Sequence, residues 1–254
     1  MPDAPLSPDQ LLVGDLDAHD FAAGGLLLVD KPKGYTSFDV VNKIRYRLRK
    51  ITGVKRIKVG HSGTLDPMAT GLLLIATGKA TKTLTELTGL PKSYTGTITF
   101  GATTPSYDAE TEREGDYPTA HVTRAVLASA IAEHMTGDIE QLPPVYSAIK
   151  VDGKRAYKAA RAGQEIKLEP RCVHVGSFEL TRVEMPEADF AVDVSKGTYV
   201  RSLAHDLGQL VGSGAYLSAL RRTSVGPYRM ADGRTLDEIT EALDLRLQRG
   251  QAGG

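Results

Sequence analysis

The 254-residue sequence has one cysteine, Cys172, and no tryptophan. One thiol cannot close an internal disulfide. There is no C-x-x-C, and the histidines His19, His61, His121, His134, His174 and His205 are scattered without metal-ligand spacing, so no structural metal is expected. Long apolar runs are also missing: the run Leu72 to Ala76 is far short of the ~20 residues that cross a bilayer as a helix. The first 23 residues carry Asp3, Asp9, Asp15, Asp17 and Asp20 but no Lys or Arg, unlike a signal or transit peptide. A reducing, cytoplasmic setting without membrane contact is the expectation. Net charge is absent as well, with 31 Lys and Arg against 31 Asp and Glu. That balance weighs against a nucleic-acid partner until the distribution along the chain is considered.

What is present is the composition of an ordinary globular protein, 41% hydrophobic and 24% charged. A chain of this length buries roughly three quarters of its unfolded surface, so neither disulfides nor metals are needed to hold it together. Residues 1–23, rich in Asp, Pro and Ala, read as a flexible extension ahead of the apolar strand Leu26 to Val29. Ser37 is placed to cap a helix carrying Phe38, Val41, Ile44 and Leu48 at helical spacing. From Lys43 to Lys58 the chain has eight basic residues and no acidic one, which makes a local positive field on a neutral protein. An isolated run of this kind is usually a solvated helix face. Eight charges without acidic relief put an anionic partner on an equal footing.

A glycine-rich loop, Gly60-His61-Ser62-Gly63-Thr64-Leu65-Asp66-Pro67, precedes the strand Leu72 to Ala76 and a helix with Leu84 and Leu87. Lys92 to Gly101 alternates, with Tyr94, Ile98 and Phe100 on one face and Thr95, Thr97 and Thr99 on the other, as a half-buried strand does. A helix with Leu127, Ile131 and Met135 follows. Residues 141–170 read as a basic insertion, extended at first and then helical over Lys150 to Arg161. Strands at about 172–184 and 189–195, a helix at 201–211 and a strand into Leu220-Arg221-Arg222-Thr223 complete residues 24–230. Residues 231–254 form a short tail with a helix over Leu236 to Leu247, too small for a core of its own. The order implies an α+β fold: a mixed, largely antiparallel central sheet flanked by helices and loops.

Asp66 stands before Pro67, and an Asp-Pro pair is commonly just a turn opener. Around it, however, Gly60, Gly63 and Gly71 permit close approach to the backbone, while His61 and Thr64 add polar groups. A carboxylate on such a loop is well placed for a ligand. Gly71 to Lys79 has the wrong glycine spacing for a phosphate-binding loop, and Ala80 stands where a magnesium-binding hydroxyl belongs. Cys172, in the alternating stretch Arg171 to Val175, reads as a small core residue rather than a nucleophile.

The stretch Val29-Asp30-Lys31-Pro32-Lys33-Gly34-Tyr35-Thr36-Ser37, the loop Gly60 to Gly71, and Lys92-Ser93-Tyr94-Thr95-Gly96 together resemble the signature of the bacterial tRNA pseudouridine-55 synthases, the TruB family. The resemblance continues in Pro143-Pro144-Val145-Tyr146-Ser147-Ala148, in Gly197-Thr198-Tyr199-Val200-Arg201-Ser202-Leu203 and in Leu220-Arg221-Arg222-Thr223. It covers about residues 24–228 in order and spacing. It implies the pseudouridine synthase fold and an isomerase that flips a uridine, expected at position 55, out of the T stem-loop of tRNA.

In that family's terms Asp66 is the catalytic nucleophile, acting at the sugar carbon or at the base ring, and both routes stay open. Arg201 is the guanidinium that keeps it ionised and oriented. Tyr94 stacks on the extruded base, with its hydroxyl a candidate for proton transfer. Tyr199 and His61 bind the nucleotide, and Leu220 is an apolar pocket wall. Lys31 and Pro32 support the floor. Without the resemblance, Arg201 reads as a surface arginine at a helix start, Tyr94 and Leu220 as core, and His61 as a loop histidine. Lys43, Arg47, Lys50, Lys154 and Arg155 are the basic residues expected to follow RNA phosphates. No cofactor is required, because the departing base is the group that re-attaches. A monomer without an obligate protein partner is expected. The small C-terminal RNA-binding domain that such enzymes carry is not recognised as complete here. A non-catalytic RNA-binding or tRNA-folding protein on the same scaffold is the alternative.

Overall fold

The computed structural model describes residues 11–147, 150–151, 154–155 and 168–252. The chain divides into two compact units, Met1–Leu90 with Arg221–Gly254, and Pro91–Leu220. The main sheet is mixed and has ten strands, as the sequence led us to expect.

In the first unit, β1 (Gly25–Lys31) lies antiparallel to β3 (Thr70–Thr77), and β2 (Val59–His61) pairs with the end of β3. Both β1 and β3 read as continuous apolar runs because both faces of this part of the sheet are covered. One face, with Leu27, Val29, Leu73 and Ile75, packs on two helices, α1 (Ser37–Thr52) and the C-terminal helix Leu236–Ala252. The opposite face, with Leu26, Leu28, Leu72 and Leu74, packs against Leu87 of α2 (Leu84–Gly89) and against Val225 and Tyr228. Each fully buried leucine of this kind contributes about 1.5–3 kcal/mol.

Residues 11–23 are not a free extension: Phe21 and Leu16 are buried in the core of the first face, and the Val13 amide donates to the carbonyl of Leu26 at 3.0 Å. Apolar residues spaced among the aspartates supply the anchors that composition alone conceals. Residues 1–10 lie outside the described residues.

The cap of α1 also differs from the expectation. Thr36, not Ser37, is the N-cap, joined in a reciprocal capping box with Asp39. The buried stripe is Val40, Val41, Ile44 and Leu48, and Phe38 is 59% exposed. Phe38 lies three residues before Val41, but Val40 takes the inward position next to it.

The second unit holds β4 (Lys92–Phe100), α3 (Arg124–His134), β5 (Gly137–Gln141), β8 (Arg171–Glu184), β9 (Glu187–Val194) and α4 (Val200–Leu210). β4, β9, β8 and β5 follow one another as antiparallel neighbours. β10 (Ala215–Val225) belongs to this unit as far as Leu220 and to the first from Arg221 onward, where it pairs parallel with β3. Two short pieces, β6 (Lys150–Val151) and β7 (Lys154–Arg155), form an antiparallel ladder where a helix was expected. The rest of that expected basic helix, residues 152–153 and 156–161, lies outside the described residues. Cys172 is exposed rather than in the core, because Val173 and Val175 occupy the inward positions of the same alternation.

The chain closes with β11 (Tyr228–Arg229), β12 (Arg234–Thr235) and the C-terminal helix, α5 (Leu236–Ala252). Its buried residues Leu236, Ile239 and Leu243 join the core under α1, so the tail has no core of its own and needs none.

Candidate active site

In the first unit the loop that carries Asp66 is held on three sides. Lys31, fully buried at the end of β1, points its ammonium at backbone carbonyls, 2.6 Å from that of Tyr35, 3.1 Å from Pro32 and 3.5 Å from Pro67. The Gly34 amide donates to the Pro67 carbonyl at 2.8 Å. Ser37 Oγ accepts the Leu65 amide at 2.8 Å and donates to the Leu65 carbonyl at 3.2 Å. The third support is Arg222, whose Nε reaches the Leu72 carbonyl at 2.6 Å and whose Nη2 reaches that of Gly63 at 3.2 Å. Arg222 is 1% exposed. A buried cation is costly to remove from water, and these charge-assisted bonds to carbonyls offset that cost. Gly71 has φ +99°, and a Cβ there would stand 2.3 Å from the Arg222 carbonyl oxygen. Only glycine lets β3 and β10 approach this closely.

Asp66 itself is half-buried, and its carbonyl accepts the Ala69 amide at 3.1 Å. His61 lies at the end of β2 and is also half-buried. The Gly63 amide donates to its Nδ1 at 3.3 Å. Burial, and then the Arg222 guanidinium, push the imidazole below its ordinary pKa, so it is neutral at pH 7 and carries its proton on Nε2.

The second unit holds Tyr94, Tyr199, Arg201 and Leu220. Tyr94 is 9% exposed in β4 on the face of Ile98 and Phe100, as alternation requires, and Leu220 in β10 is also buried. Tyr199 is the N-cap of α4. The Gln141 side chain clasps its backbone, accepting the Tyr199 amide at 2.7 Å and donating to its carbonyl at 3.0 Å. Arg171 places its guanidinium 4.5 Å from the centre of the Tyr199 ring, in cation–π range.

Arg201 is no surface arginine: it is 5% exposed in the first turn of α4. Its Nη1 donates to the Ser106 carbonyl at 2.9 Å, its Nη2 donates to that of Tyr146 at 3.1 Å, and its Nε lies 3.5 Å from Oδ2 of Asp108. Asp108, itself fully buried, receives bonds from Ser106 Oγ at 2.6 Å and the Glu110 amide at 3.0 Å. No role for Asp108, Arg222 or Gln141 was read from the sequence. Asp108 follows a polar stretch without periodicity, and Arg222 looked like one more basic residue of a strand. Two consecutive arginines in a largely apolar strand, one of which must face inward, are the signal that could have revealed Arg222.

The expected RNA-contacting residues separate. Arg47 forms a two-pronged pair with Asp244 of α5, at 3.0 and 2.8 Å, and so joins two helices instead of standing ready for phosphates. Lys43 and Lys50 are exposed, with their ammonium groups over the rings of Tyr35 and Tyr46 at 4.8 and 4.3 Å. The side chains of Lys154 and Arg155 lie outside the described residues.

The first unit thus holds a half-buried carboxylate on a braced glycine-rich loop, and the second a buried arginine–aspartate pair beside a half-buried tyrosine. Residues 49–200 match the TruB family pseudouridylate synthase (N terminal domain), and residues 201–251 match the tRNA pseudouridylate synthase B C-terminal domain. Similar curated proteins include tRNA pseudouridine synthase B of Flavobacterium johnsoniae, 48% identical over 88% of this chain and 98% of that protein. The protein of the same name from Opitutus terrae is 52% identical over 87% of this chain and 88% of its own length. Among solved structures, a chain of a Cbf5-Nop10-Gar1 complex superposes with a TM-score of 0.66 at 30% identity. That match covers 95% of this chain, which spans 59% of the solved one. The chain belongs to the TruB family of pseudouridylate synthases.

Proposed function

We propose that the protein converts one uridine of tRNA, position 55 in the T loop, to pseudouridine, with Asp66 as nucleophile. The braced Asp66 loop carries this reading. Lys31, Ser37 and Arg222 fix the backbone on both sides of Asp66 but are aimed at carbonyl and amide groups. Preorganisation of that kind serves a group whose geometry matters in a transition state. The reaction breaks the bond between N1 of uracil and the sugar and forms one from C5 to the same carbon. C5 loses a proton and N1 gains one, so no cofactor is required.

Family membership assigns Arg201 as the positively charged partner of the Asp66 carboxylate, and Asp108 orients Arg201. Tyr94 stacks on the flipped uracil, with its hydroxyl a candidate for proton transfer. Tyr199 and neutral His61 hold the nucleotide, and Leu220 walls the pocket. Stacking in the pocket offsets part of the few kcal/mol that leaving the helical stack costs. The tRNA follows exposed cations such as Lys43 and Lys50 through its phosphates. The enzyme works as a monomer in the cytoplasm; among the described residues no helix is long and apolar enough to cross a membrane. Position-resolved pseudouridine detection on a tRNA transcript, comparing wild type with Asp66→Asn, tests the reading.

A further inference from the structure

Tyr107 is the single described non-glycine residue with a positive φ, +63°. A left-handed backbone suits glycine or asparagine far better than tyrosine, so an aromatic ring held there points to a role for the ring itself. The ring lies flat on the imidazole of His205, with centroids 3.8 Å apart and planes 9° from parallel. Among the described residues His205 Nδ1 is buried without a hydrogen-bond partner, so no bond at that nitrogen competes with the stack in orienting the ring. The two residues also flank the arginine–aspartate pair. Tyr107 lies between Ser106, whose carbonyl accepts from Arg201 Nη1, and Asp108, whose carboxylate faces Arg201 Nε. His205 stands four residues after Arg201 on α4, so it shares Arg201's face of the helix.

We infer that the Tyr107–His205 stack positions Arg201 for catalysis by locking the 106–108 loop to the helix that carries the arginine. Hydrogen bonds within the loop, from Thr104 Oγ1 to the Asp108 carbonyl at 2.7 Å and from the Leu217 amide to the Tyr107 carbonyl at 3.0 Å, give it shape and tie it to β10. Neither joins it to α4. Beside Arg201's own contacts with Ser106 and Asp108, the stack is a second connection to α4, one helical turn further along, and so fixes the direction in which the two residues meet the guanidinium. Tyr107 and His205 are thus positioning residues. The inference rests on the proposed catalytic use of Arg201.

The test uses the full chain, unmodified tRNA transcript, single-turnover rates at saturating enzyme, and affinity measured separately. Tyr107→Gly suits the left-handed backbone and removes only the ring. It is expected to slow the single-turnover rate at least tenfold with tRNA affinity within about twofold of wild type. Tyr107→Phe keeps a stackable ring and is expected to stay within about threefold. His205→Ala is expected to match Tyr107→Gly, and the double variant to be no slower than either single one, because one stack is lost in each case. His205→Phe is expected to restore most of the rate. Wild-type rates for Tyr107→Gly or for His205→Ala overturn the inference, as does a defect confined to affinity. If Tyr107→Gly melts before the assay temperature, the helix-borne His205 pair decides by the same criteria. Asp66→Asn serves as the control: if it still forms product, the catalytic reading has failed, whatever the stack does.

Discussion

The hydroxyl of Ser37 bridges both backbone groups of Leu65, accepting its amide at 2.8 Å and donating to its carbonyl at 3.2 Å, one residue before Asp66. The start of α1 is thereby fastened to the loop that holds the carboxylate. Ser37→Ala leaves the buried Leu65 amide without this acceptor, which costs about 1–2 kcal/mol. The expected result is a lower melting temperature together with a rate loss larger than any change in affinity. Calorimetry and single-turnover kinetics on the same preparation check both.

Asp108 faces Arg201 at 3.5 Å, with both side chains almost fully buried. Asp108→Asn preserves volume and the acceptor that Ser106 and Glu110 use, but removes the charge that complements the guanidinium. The expected outcome is a loss of at least tenfold in kcat with KM nearly constant, since an interaction that matters in the transition state is the one disturbed. Steady-state kinetics on tRNA transcripts measure the split.

Asp206 on α4 gives a pH prediction. Burial raises its carboxyl from 3.8 to about 6. Between those values the folded protein retains a proton that the unfolded chain has released, so stability falls as pH rises through this window, and the penalty is complete above pH 6. Asp206→Asn should therefore melt higher than wild type at pH 7, by an amount on the order of 1 kcal/mol after allowance for solvent screening. The difference should vanish near pH 4. Thermal melts at the two pH values give the comparison.

Basic residues on α1 should divide in their effect on RNA. Lys43→Ala and Lys50→Ala are each expected to weaken tRNA binding and reduce the slope of log affinity against log salt by about 1. Arg47→Gln should leave that slope alone, because Arg47 is paired with Asp244, and should lower stability by up to about 1 kcal/mol. Filter binding across a salt series distinguishes the two behaviours.

Much of this protein could be read in its residues, and for identifiable reasons. The continuous apolar strands, the alternation through Tyr94 and the helix starting near Arg201 follow from local periodicity, and the structure bears them out. The family was legible because the order and spacing of its motifs survive in one dimension. Their supports were harder to see. Arg222 braces Gly63 from 159 positions away, and Asp108 meets Arg201 across 93, so neither leaves a local pattern. Phe21 and Leu16 were hidden among aspartates whose composition suggested a flexible extension, although both are buried in the core. The pairing of Arg47 left no local pattern either, because its partner Asp244 lies in the C-terminal helix.

The central claim is that Asp66 performs the chemistry of a uridine isomerase. Pseudouridine is mapped at single-nucleotide resolution on an unmodified tRNA transcript after incubation with wild type and with Asp66→Asn, with binding of both measured alongside. Conversion at position 55 is expected from wild type alone, with comparable tRNA binding by the two proteins. Conversion by Asp66→Asn, or saturating binding by wild type without conversion, would contradict it.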